Sequence, residues 1–133
     1  MSSFTKNLTL TYLPKTNTWV TEREFTYYVG KKGSDDKVMV PKGFHTDLAS
    51  VPWPASMIIP KSGRGNQAAV LHDYLYYCHD RERKNCDCIF LESMKVLGVS
   101  WWKRKTMYRA VRSFGWIPWK KHKKRSIKNE KDS

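Results

Sequence analysis

Between residues 8 and 40, apolar and β-branched side chains gather in three clusters, at 8–13, 19–29 and 38–40, with Thr9, Thr11, Thr21, Thr26 and Lys37 interrupting them in a loose period of two. That alternation predicts three antiparallel strands with one dry face, joined at Pro14-Lys15-Thr16-Asn17 and across residues 30–36. From 41 to 65 the periodicity stops. Pro41, Gly43, Pro52, Pro54, Pro60, Gly63 and Gly65 predict an ordered loop with one short helical turn, since proline fixes φ and removes a backbone donor. Helical spacing then takes over. Ala68, Leu71, Leu75 and Cys78 mark a helix from Gly65 or Asn66 to about Tyr77. Asp80 is the expected N-cap of a second helix that runs to Leu97 and stops at Gly98; its buried stripe is Asp87, Phe90, Met94 and Leu97. A third helix runs from a Ser100 cap to Phe114 and stops at Gly115, with Met107, Ala110, Val111 and Phe114 on its apolar side and Trp101 or Trp102 covering the core. The fold class is therefore α+β: a small N-terminal antiparallel sheet, a Pro/Gly-rich loop, an antiparallel helix pair and a third helix.

A length of 133 residues with 40% apolar content suits a single domain, placed at 1–118, with a loosely ordered basic tail at 119–133. The net charge of +13 is concentrated: residues 1–102 carry 13 Lys/Arg against 10 Asp/Glu, whereas 103–133 carry 12 against 2. Such an end seeks polyanions, whether nucleic acid, anionic membrane or an acidic cell-wall polymer. The residues expected to do so are Lys105, Arg109, Arg112, Lys120, Lys121, Lys123, Lys124 and Arg125, interleaved with Trp101, Trp102, Trp116 and Trp119. No apolar run of membrane-spanning length exists, and the first residues lack a signal-peptide layout, so the expected location is a cytoplasm. Three cysteines form an odd set there, which points to reduced thiols; Cys78, His79, Cys86 and Cys88 do not follow a structural zinc spacing.

The run Ala68-Ala69-Val70-Leu71-His72-Asp73-Tyr74-Leu75-Tyr76 places two ionisable groups inside an apolar helix. Burying a polar group without a partner costs about 1–3 kcal/mol, so each should meet something specific. Counted from a turn near 78–79, His72 and Asp87 lie at nearly the same height on antiparallel helices. A carboxylate accepting from one imidazole nitrogen would fix the tautomer and leave the other nitrogen as a base. Asp73, about 100° around the helix, could join Asp47 in holding a hard cation such as calcium or magnesium. A structural account competes: Asp47 caps a turn, His72 is a satisfied core histidine, and Asp73 holds loop amides.

The blocks Gly43-Phe44-His45-Thr46-Asp47-Leu48-Ala49-Ser50-Val51-Pro52, Ala68 to Tyr76 as spelled out above, and Asp87-Cys88-Ile89-Phe90-Leu91-Glu92-Ser93-Met94 resemble a family of short proteins of tailed bacteriophages and prophages, a domain of unknown function. The resemblance spans roughly 19–115 and implies a viral origin, with the protein acting in the host cytoplasm or associated with the virion. The His72, Asp73, Tyr76 and Asp87 pattern is also similar to secreted and parvoviral phospholipases. That resemblance implies His72 activating water, Asp73 binding calcium, and Tyr76 with Asp87 supporting the histidine. The chain departs from those enzymes in lacking their paired cysteines and in having Gly63-Arg64-Gly65 too close to His72 for their calcium loop. His45, His72, Asp73 and Asp87 further resemble the metal-dependent phosphohydrolases with a His-Asp pair, which are larger all-helical bundles.

Two functions follow from these readings. One is a small phage hydrolase in which His72, Asp87 and Tyr76 form the catalytic group. The other is a binding protein, either a virion or tail component or a host-directed factor, in which the same cluster is a polar staple and the basic end binds its partner. Solvent access at His72 separates them.

Overall fold

The computed structural model describes residues 3–16, 18–46, 66–117, 119 and 120. Six short strands precede three helices: β1 (Ser3–Phe4), β2 (Leu10–Leu13), β3 (Thr18–Thr21), β4 (Phe25–Tyr28), β5 (Lys37–Val40), β6 (His45–Thr46), α1 (Asn66–Cys78), α2 (Arg83–Val96) and α3 (Trp101–Phe114). The fold is α+β, an antiparallel β region followed by helices.

The strands form two three-stranded antiparallel sheets, ordered β1-β4-β5 and β2-β3-β6, instead of one. The single strand expected over 19–29 breaks at Glu22-Arg23-Glu24, all three exposed. Three consecutive charged residues cannot alternate onto a dry face, so the chain bends there and changes sheets. Within β4 and β5 the period of two holds. Phe25 and Tyr27 face inward, opposite Val40 and Val38. Thr21 ties the second sheet to its approach loop: its hydroxyl donates to the Pro41 carbonyl at 2.7 Å and accepts from the Phe44 amide at 2.9 Å.

α1 lies between the sheets and α2, so it is buried on most of its surface, including Ala68, Val70, Leu71, Leu75 and Tyr76. One core joins Phe25, Tyr27, Val38 and Val40 to Val70, Leu71, Leu75 and Tyr76. A second joins Ala68 to Phe90 and Met94 of α2 and to Met107, Ala110 and Val111 of α3. Glu92 of α2 reaches the first sheet, accepting from the Tyr27 hydroxyl at 2.6 Å and the Gly30 amide at 2.9 Å.

The helix ends refine the expectations. α2 starts after Glu82, whose extended backbone makes it the N-cap, two residues later than the Asp80 cap read from the sequence. The intervening turn carries His79 at φ 55°, and Arg81 is drawn away to an ion pair with Asp36 at 2.5 Å. Gly98 closes α2 at φ 82°, where glycine avoids the left-handed Cβ clash. Gly115 closes α3 in the right-handed region, at φ −65° and ψ −14°. On α3 the apolar side is Met107, Ala110 and Val111 only; Phe114 is exposed, and both Trp101 and Trp102 face outward instead of covering the core. Trp119, assigned by composition to the tail, packs edge-on to Tyr76 with ring centroids 5.1 Å apart and against His79 at 3.7 Å.

Candidate active site

His72 and Tyr76 lie one turn apart on α1, Asp87 lies in the second turn of α2, and Arg112 lies in the last turn of α3. The turn over residues 79–82 sets the first two helices at matching height, and the side chains meet. His72 Nε2 is 2.7 Å from Asp87 Oδ1, and the Tyr76 hydroxyl donates to the same oxygen at 2.6 Å. Arg112 Nη1 donates to Oδ2 at 2.8 Å, with Arg83 Nη1 on the same side at 3.7 Å. Asp87 is 0% exposed, so this full set of partners is what allows a carboxylate to stay charged there. Burial raises its pKa, but the hydrogen bonds from His72, Tyr76 and Arg112 outweigh that, and the net shift is downward. The Tyr76 phenol moves the other way, raised by burial and by the carboxylate it faces.

A backbone clasp holds the third helix to this group. Arg83 donates to the carbonyls of Val111 at 2.9 Å and Arg112 at 3.3 Å, placing a cation at the C-terminal end of α3, where the helix dipole favours one. A Cβ at Gly115 would collide with the Val111 carbonyl oxygen and come within 2.7 Å of the Tyr76 hydroxyl and 3.1 Å of Arg83 Nη1. Glycine is required there for close approach, not for a left-handed backbone.

The His72 ring packs between Tyr76 and Phe90, with centroid distances of 4.2 and 4.5 Å, and its side chain keeps 12% of its surface exposed. With Nε2 directed at an ionised carboxylate, which can only accept, Nε2 carries a proton, and in the neutral ring Nδ1 then presents its lone pair. Among the described residues Nδ1 takes no hydrogen bond. The arrangement is an oriented base with an ionised partner able to stabilise the imidazolium.

Asp73 points away from this group, as its position one residue on requires. It is buried, and its Oδ2 accepts from the Thr46 hydroxyl at 2.8 Å, tying α1 to β6. Asp47 lies outside the described residues. His45 is exposed on β6, so it does not join His72 as the phosphohydrolase resemblance implied. No group of three or more His, Cys, Asp and Glu side chains arranged to hold a metal occurs among the described residues. The cation site expected from Asp47 and Asp73 thus has one of its two carboxylates outside the described residues. Near the sulfurs, His79 donates from Nε2 to the Trp119 carbonyl at 2.8 Å, and burial pushes the Cys86 thiol up to about 12.

Of the expected polyanion-binding residues, Lys105, Arg109 and Lys120 are exposed. Arg112 is a correction: its guanidinium is committed to Asp87. Lys121, Lys123, Lys124 and Arg125 lie outside the described residues. The sequence reading did not include Arg83, and it placed Phe90, Gly115 and Trp119 without their contacts to His72, Tyr76, Arg83 and His79. Arg83 carried a usable signal, because it stands four residues before Asp87 and so shares its helix face.

A family profile described as "Protein of unknown function (DUF1353)" matches residues 19–111. The chain is 37% identical over 78 residues to a protein of Sinorhizobium fredii (strain NBRC 101917 / NGR234) described as "Uncharacterized protein y4jT"; the match covers 57% of this chain and 23% of that one. The chain thus spans less than a quarter of that relative's length. No solved structure matches it.

Proposed function

The chain belongs to the DUF1353 family, whose description carries no activity, and on that premise we propose that it is a small hydrolase with His72 as general base. The observation behind this reading is the His72–Asp87–Tyr76 contact, with Nε2 held at 2.7 Å and Nδ1 without a hydrogen bond among the described residues. A water hydrogen-bonded to Nδ1 gives up a proton as its oxygen attacks an ester carbonyl. Asp87 stabilises the imidazolium without taking its proton, and His72 returns that proton to the departing alkoxide. Tyr76 and Arg112 are positioning residues that hold Asp87. The residue-by-residue match to the phospholipase pattern supports an ester substrate, and no step is routed through a cation.

His72→Asn tests it. With melting temperature and circular dichroism held at wild-type values, ester turnover should fall by about 10²- to 10⁴-fold, and a variant that keeps wild-type turnover would remove the reading. Imidazole ¹⁵N NMR gives a check that needs no substrate. The neutral His72 ring should be protonated at Nε2 and bare at Nδ1; the opposite tautomer would count equally against it.

The resemblance to short phage proteins supports a viral setting for this activity, in the host cytoplasm or with the virion. The cationic stretch from Lys103 onward supports a second property, binding to a polyanion through exposed residues such as Lys105, Arg109 and Lys120.

A further inference from the structure

Five of the eight large apolar side chains exposed among the described residues fall within 17 positions: Trp101 (66%), Trp102 (57%), Phe114 (49%), Trp116 (48%) and Ile117 (54%). They sit on or just beyond a helix whose buried side, Met107, Ala110 and Val111, is already packed against α2. Gly115 keeps right-handed helical angles, and the Trp119 amide bonds back to the Gly115 carbonyl at 3.1 Å, so the helical direction continues past the formal end of α3. Along it Trp102, Lys105, Arg109, Trp116 and Lys120 follow spacings of three, four, seven and four. Those spacings trace one exposed stripe about 27 Å long. No acidic residue occurs anywhere between Glu92 and Glu130.

From this we infer that the outer stripe of α3, with Trp116, Ile117 and Lys120 beyond it, docks on an anionic lipid surface. Two features favour a bilayer over nucleic acid. Phosphates and bases reward cations and aromatic faces, yet Ile117, exposed beside the stripe, adds an aliphatic group for which a sugar-phosphate chain has no use. The cations also sit beside the indoles: Lys103 Nζ lies 5.6 Å from the Trp102 ring centre, and Lys120 Nζ lies 5.2 Å from that of Trp116. A tryptophan at the headgroup boundary with an ammonium reaching to lipid phosphate uses both groups at one depth. No described helix is long and apolar enough to cross the membrane, so this helix would lie along the surface.

The inference deepens the polyanion reading and does not depend on the hydrolase one, because it is measured by binding alone. The full chain should co-sediment with phosphatidylcholine vesicles containing phosphatidylglycerol and not with phosphatidylcholine alone. Trp102→Ser combined with Trp116→Ser should raise the half-saturating lipid concentration at least about tenfold without moving the melting temperature. Replacing Lys105 and Arg109 by Gln should raise it about fivefold per charge, and added salt should act in the same direction. Unchanged binding by the tryptophan pair overturns the inference. Retention on duplex DNA with none on anionic vesicles also overturns it while keeping the polyanion reading, and retention on neither overturns both.

Discussion

Asp87 receives hydrogen bonds from two helices besides its own, and its charge is what the group is built around. Asp87→Asn keeps the shape but removes the charge that Arg112 and Arg83 face. Breaking a buried ionic network from one side typically costs about 3–5 kcal/mol, and a loss near the lower figure is expected here because Arg112 keeps partial access to water. Denaturant melts measure it. The same variant should lower any His72-dependent turnover by about 10²- to 10⁴-fold, since the wrong tautomer is no longer penalised. The acid response follows from the downward shift of the Asp87 pKa. A group with a depressed folded pKa contributes stability above its unfolded pKa of about 3.9 and loses it as pH falls through the folded value. The gap between wild type and Asp87→Asn should therefore be full at neutral pH and narrow in acid; a gap that stays constant into strong acid would assign the loss to packing instead of charge.

Elements meet at two glycines that end helices for different reasons. Gly98 stands at φ 82°, a left-handed backbone that a Cβ disfavours, so Gly98→Ala should cost about 1 kcal/mol. Gly115 is right-handed and crowded by Val111, Tyr76 and Arg83, so Gly115→Ala should cost about 2–3 kcal/mol. Parallel thermal melts of the two variants read the difference, and equal costs would contradict the crowding. Both helix ends were legible in the sequence, because glycine after an apolar period marks a stop. Why Gly115 is needed was not legible in full, since two of the three crowding groups, Tyr76 and Arg83, come from α1 and α2. The split strand was legible in part: Glu22-Arg23-Glu24 announces an exposed break, but period alone does not say that the two halves join different sheets.

For the whole molecule, Trp119 joins the last described residues to the body. It is half-buried against His79 and Tyr76, so Trp119→Ala should cost about 2 kcal/mol, whereas Trp102→Ser, at an exposed position, should stay within about 0.5 kcal/mol. Urea unfolding of the two variants separates anchoring tryptophans from outward ones. Composition could not: each of these residues is an aromatic in a basic stretch, and only the turn carrying His79 decides which one finds a pocket.

By itself the amino-acid order determined the α+β class, the three helices and the level placement of His72 and Asp87, because periodicity, capping residues and helical rise act within a few residues of each other. It also determined where cationic charge accumulates, which is a sum over the chain. Tertiary packing decided the rest. It gave Asp87 the Arg112 guanidinium from a helix 25 residues away, it turned Asp73 toward Thr46, and it left Trp101 and Trp102 outside while drawing Trp119 in. Those outcomes depend on which surfaces meet when separate helices and sheets close over one another, and no local pattern carries that information.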